Sequence, residues 1–182
     1  SMKEELDRLL KELRERNKEI EDRAEELLRR STDSLRKVKE KLDKLLEEST
    51  RILRKVEKEN RVSEDTLREL REIHERLRKE LEDAKRDLDR DHKELAEKLE
   101  EIIRRNRENL RRLEREVEEM KKRNDLSEKV LKDIKRVIDE DEERLKRVLD
   151  DYERRVRELE DKVKKILDRY KTEVDKLRER AR

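Results

Sequence analysis

Eighteen residues separate two copies of one template, Leu27-Leu28-Arg29-Arg30-Ser31-Thr32-Asp33-Ser34-Leu35-Arg36-Lys37-Val38 and Leu45-Leu46-Glu47-Glu48-Ser49-Thr50-Arg51-Ile52-Leu53-Arg54-Lys55-Val56. Eighteen residues fill about five turns of an undistorted α-helix, so a stripe repeating at that interval returns to the same side without supercoiling. The rest of the chain follows the repeat, with Leu, Ile and Val recurring at steps of three and four from Leu6 to Leu177. Such a chain is expected to form long, nearly straight helices.

Composition alone is ambiguous, since 62% charged and 29% apolar residues with no Gly, Pro, Cys, Phe or Trp suit either a disordered or a helical chain. The sustained three-four stepping decides for helix. Lys and Arg total 57 against 55 Asp and Glu, a formal charge of +2 with the signs interspersed, so no basic field exists to hold nucleic acid. No apolar run exceeds two residues, which excludes a membrane-spanning helix or a signal-peptide core. The expectation is a soluble chain with no targeting signal and no compartment indicated, suited to recombinant cytosolic expression. Absent cysteines remove disulfides, thiolate catalysis and Cys-ligated metals. Ser1-Met2 reads as a cloning remnant ahead of an initiator.

Asn60-Arg61-Val62-Ser63-Glu64 returns as Asn124-Asp125-Leu126-Ser127-Glu128. Asn tolerates the left-handed conformation that ends a helix, Ser is a good N-cap, and acidic residues suit a positive first turn. Val62 with Leu67, and Leu126 with Leu131, have the spacing of a hydrophobic staple. The chain therefore divides into helix 1 at about 3–59, loop 60–63, helix 2 at about 64–123, loop 124–127 and helix 3 at about 128–181. Periodicity alone would also fit one unbroken helix; the capping chemistry favours three. Each helix has one apolar stripe, so the expected fold is all-α, an antiparallel up-down-up three-helix bundle forming a single domain.

Polar residues on the stripes predict register, because burying them costs free energy unless they meet one another. In an antiparallel pair, facing residue numbers have a constant sum. Asn17 with Asn106, Ser31 with His92, and Ser49 with His74 all give 123, which puts the turn between residues 61 and 62. Thr32 and Thr50 adjoin the serines. A sum near 247 between helices 2 and 3 would bring Asp141 to the asparagine layer and set Arg104, Arg105 and Arg107 opposite the acidic run 139–143. Tyr152 and Tyr170 fall near the two Ser–His layers. With Ser34 and Asn109 they complete the candidate buried network.

A serine facing a histidine invites a hydrolase reading, with Asp91 beside His92. Neighbouring helical residues point about 100° apart, so Asp91 cannot orient that imidazole, and no Gly-rich turn supplies oxyanion donors. A shared metal fails because His74 and His92 stand about 27 Å apart along a helix. The sequence thus predicts no catalytic residue, metal or cofactor, and the Arg-rich stretch 102–115 reads as a solvated face.

Strict repetition, duplicated loops, and Ser, Thr, Asn and His layers in a Leu/Ile/Val core resemble computationally designed helical bundles with buried hydrogen-bond networks. Spectrin-type repeats are a natural look-alike, but these helices are longer and lack their Trp. The resemblance implies a structural scaffold without natural biochemical function, a monomer without partners, in which polar layers set register. It also implies two alternatives: a pH-responsive bundle switched by His74 and His92, and a helical interaction module or oligomer.

Overall fold

Capping chemistry and periodicity together produce three helices, seen in a computed structural model that describes all residues 1–182: α1 (Met2–Glu59), α2 (Glu64–Arg123) and α3 (Glu128–Arg180), with no strand. The chain is an all-α three-helix bundle. Asn60 and Asn124 take the left-handed conformation, with φ of 50° and 58°. The two breaks nevertheless close differently. The Asn60 N–H donates to the Val56 carbonyl at 3.0 Å, a single αL closure. At the second break, Asn124 N–H donates to Lys121 (3.3 Å) and Asp125 N–H to Met120 (3.2 Å), the paired bonds of a Schellman motif. Each following helix starts on a serine: Ser63 Oγ accepts from Thr66 N–H and Ser127 Oγ from Val130 N–H, both at 3.2 Å. Val62 and Leu67 share one apolar cluster and Leu126 and Leu131 another, as the staples require.

The chain divides into two compact units, and each helix contributes a segment to both. The first unit comprises residues 1–29 and 95–156. Its core joins Leu6, Leu10 and Leu13 of α1 to Val117 of α2 and Leu131, Ile134 and Ile138 of α3. On the α1–α2 seam Asp7 pairs with Lys121, Arg14 with Glu114 (2.9 Å) and Glu21 with Arg107 (3.0 Å), so the segments are antiparallel with partner numbers adding to 128. The α1–α3 seam is parallel, with Arg16 on Asp139 (2.8 Å) and Glu142 (3.1 Å), and Arg23 on Asp150 and Glu153.

The second unit comprises residues 30–94 and 157–182. Val56, Leu70 and Leu177 form one cluster of its core. Lys39 with Asp89, Asp43 with Lys85 and Glu57 with Arg71 repeat the 128 relation between α1 and α2. Arg30 grips Glu160 through two bonds, at 2.7 and 2.9 Å, and Glu48 pairs with Arg178, so α1 and α3 are parallel here too. Between α2 and α3, Asp91 meets Lys162 and Glu69 meets Arg180, giving sums of 253 and 249 rather than the expected 247. Exposed pairs like these contribute about 0–1 kcal/mol each, whereas fully burying one Leu or Val contributes roughly 1.5–3 kcal/mol. The stripes therefore hold the helices together, and the ion pairs follow their register.

Positive φ is costly for a β-branched residue and free for glycine. Asn60→Val and Asn124→Val are each expected to lower unfolding free energy by about 1–2 kcal/mol, while the corresponding Gly variants leave it unchanged or raise it. Urea titration of the four single variants checks this.

Candidate functional site

Three polar layers were expected on the stripes, and their hydrogen bonding differs sharply. Ser31 has no exposed surface, and its Oγ lies 3.3 Å from His92 Nε2. Thr32 Oγ1, from an exposed residue, reaches the same nitrogen at 3.3 Å. Ser49, also at zero exposure, meets His74 Nδ1 at 2.8 Å. A hydroxyl both donates and accepts, so either neutral imidazole tautomer is served. Both rings are half-buried. Burial is the largest influence on each and lowers its pKa below 6.5. At His74, Glu75 and Glu57 oppose that shift while Arg78 adds to it. At His92, Asp89 opposes and Lys39 adds.

Thr50 does not join His74. Its hydroxyl donates to the Leu46 carbonyl at 2.9 Å, the local back-bond open to a helical threonine. Ser34 belongs instead to the Arg30–Glu160 pair, donating to Glu160 Oε1 at 3.4 Å. The hydrogen bond from Arg30 is the main reason the Glu160 carboxyl is held below its ordinary value.

The asparagine layer does not form the expected network. Asn17 and Asn106 are buried, at 9% and 5% exposure, but Asn17 Nδ2 donates to the Leu13 carbonyl of its own helix at 2.8 Å. Asn106 Nδ2 is buried with no partner. Asp141 keeps a half-exposed side chain and accepts from Arg144, three residues along, at 3.0 Å. A carboxylate loses less by staying at the boundary with a guanidinium than by entering the core. Asn109 is exposed, and its Oδ1 accepts from Arg112 at 3.2 Å. These four residues line a cavity of about 320 Å³ in the first unit.

Neither tyrosine reaches a Ser–His pair. Tyr152 is half-buried beneath the Arg155 guanidinium, 5.2 Å from the ring centroid. Tyr170 is buried, donates its hydroxyl to the Glu80 carbonyl at 3.4 Å, and has its pKa raised chiefly by desolvation. Each places its apolar body inward and its polar end at the edge. The expected match of α2 arginines with the acidic run on α3 is likewise absent. Arg104 and Arg105 pair with Glu101 and Glu108 on α2, and Arg107 with Glu21 and Glu25 on α1. Asp139 and Glu142 are taken by Arg16, and Glu143 by Arg147.

Asp91 lies 2.6 Å from Lys162 Nζ, an ion pair with α3 rather than an orienting contact to His92. No three His, Asp or Glu side chains gather at metal-binding spacing. The α1–α3 seam of Arg16, Arg23 and Arg30 is signalled in the sequence only by its seven-residue spacing, and the cavity by no sequence pattern. Compared with known proteins, the chain matches no family model, no curated protein and no solved structure.

An unsatisfied buried donor costs about 1–3 kcal/mol, and leucine has nearly the shape of asparagine. Asn106→Leu is expected to raise the urea midpoint through a change of that size, whereas Ser49→Ala, which strips a partner from His74, lowers it. Paired denaturation curves at pH 7.5 measure both.

Proposed function

We propose that the chain is a de novo designed structural scaffold, a monomeric three-helix bundle in which hydroxyl–imidazole pairs select the register of α1 against α2. The observation that carries this reading is the pairing of two serines at zero exposure with ring nitrogens, Ser31 with His92 and Ser49 with His74, at one numerical offset. A slip of one turn preserves much of a repeating apolar stripe and exchanges one exposed ion pair for another. It would leave the buried hydroxyls and imidazoles facing aliphatic side chains, at about 1–3 kcal/mol for each unsatisfied group. The polar layers thus discriminate between registers that the Leu, Ile and Val residues alone treat as near equals. The reading assigns no catalytic step, cofactor, metal or nucleic-acid partner, and no helix is long and apolar enough to cross a membrane. Light scattering is expected to give one species near 22.7 kDa; a dimer or trimer mass would overturn the monomer and favour an interaction module.

A second reading, a pH-responsive bundle, has its own support in the lowered pKa of both histidines. Because the folded value lies below the unfolded value near 6.5, the unfolded chain binds more protons as pH falls, and stability falls with it. The contribution is complete above 6.5 and declines until pH passes the folded pKa. The groups around His74 are Ser49, Glu57, Glu75 and Arg78, and those around His92 are Ser31, Thr32, Lys39 and Asp89. The urea midpoint is expected to be lower at pH 5 than at pH 7.5, with helical circular dichroism retained without denaturant at both. His74→Leu/His92→Leu is expected to flatten that difference. Cooperative loss of helix between pH 6 and 5, abolished in the double variant, would place the switch above the scaffold.

A further inference from the structure

The first unit contains a cavity of about 320 Å³ lined by aliphatic side chains, Leu13, Ile20, Leu113, Ile138 and Leu145 among them, together with polar and charged ones. Three amides line it, of which Asn109 is exposed and holds Arg112, and Asn17 and Asn106 are buried. Asn106 is 5% exposed, and its Nδ2 is the one buried side-chain nitrogen or oxygen in the protein without a hydrogen-bond partner. Asn17 is 9% exposed, with one Nδ2 hydrogen committed to the Leu13 carbonyl and Oδ1 left as an acceptor. The cavity therefore presents the unpartnered N–H donors of Asn106 Nδ2 and an acceptor, Asn17 Oδ1, beside its aliphatic side chains. Of the charged residues that line it, Arg16 pairs with Asp139 and Glu142, Arg144 pairs with Asp141, and Arg112 donates to Asn109 Oδ1. Val137, which also lines the cavity, is 40% exposed, so solvent has access there.

We propose that this cavity is a binding site for a small neutral carboxamide with a compact apolar body, its carbonyl accepting from Asn106 Nδ2 and its N–H donating to Asn17 Oδ1. The volume lies at the lower end of the range for small-molecule pockets, which suits a single ring or short branched chain rather than a larger ligand. Carboxamide complementarity follows from the pairing of donor with acceptor. A carboxylic acid would ionise and lack the donor, and a hydrocarbon would leave Asn106 as unsatisfied as before.

Benzamide is the probe, titrated into the full-length, 15N-labelled protein while the side-chain amide resonances of Asn106 and Asn17 are followed. The expected result is a saturable shift of both resonances, with benzoate and toluene binding at least about tenfold more weakly, the effect of losing one hydrogen bond of ordinary strength. Asn106→Leu, which substitutes an apolar group of similar shape, is expected to weaken benzamide binding by a similar factor or more, read from the Asn17 resonance. Leu145→Trp keeps both amides but fills the cavity, and is expected to abolish binding. Three results would each overturn the site: no saturable shift, meaning that the cavity holds water alone; toluene binding as tightly as benzamide; or binding that survives Leu145→Trp.

Discussion

Hydration is what a buried imidazole or hydroxyl gives up, and the core must return an equivalent bond at the same height. Ser49 and His74, at 2.8 Å, meet that condition across two helices, and Ser31, Thr32 and His92 meet it with longer bonds. Everything else about the α1–α2 register agrees with these contacts. The flanking ion pairs keep a fixed number relation from Glu57–Arg71 to Lys39–Asp89 because those side chains extend from helices already placed at one height. Leucines fill either side of the polar layers without distinguishing one turn from the next. On the proposed reading, directional bonds at a few positions determine what a larger but indifferent apolar area leaves open.

The two units show what such a layer gains by being completed. In the second, each buried serine finds a ring nitrogen. In the first, Asn106 keeps an unmet N–H beside a cavity, although Asn17 and Asn106 stand at the same number relation as the Ser–His pairs. Side-chain reach accounts for the difference. An imidazole spans toward the facing helix, while a short asparagine on α1 is closer to its own Leu13 carbonyl and bonds there. The asparagine layer, expected to be a closed network, instead borders a cavity and keeps an unpartnered donor.

Helix limits, both loops and the Ser–His contacts were legible because they depend on local rules and on the number of residues per turn. Asn60 and Asn124 at positive φ, and Ser63 and Ser127 as caps, follow from residue type alone. What was not legible lies at the ends of side chains. Periodicity fixes the face and height of Asp141, but Arg144 on the same helix claims its carboxylate. Thr50 shares the Ser49 layer by number, yet back-bonds to Leu46. Arg107 lies on the side of α2 that faces α1, so Glu21 takes it instead of the acidic run on α3. The α2–α3 register was the least constrained by sequence because its markers, Asp141 and the match of Arg104, Arg105 and Arg107 with the acidic run, are charged groups that pair with neighbours on their own helix or on α1. The cavity depends on packed volumes, which no spacing rule reports.

The central claim is that the hydroxyl–imidazole contacts are energetically coupled across α1 and α2 instead of being incidental neighbours. A double-mutant cycle on Ser49 and His74, using Ser49→Ala, His74→Leu and the pair, measures that coupling directly from urea unfolding at pH 7.5. The expected coupling energy is about 0.5–3 kcal/mol, with His74→Leu alone leaving a stranded hydroxyl and the double variant recovering stability relative to the sum of the single changes. Additive effects of the two substitutions would contradict it.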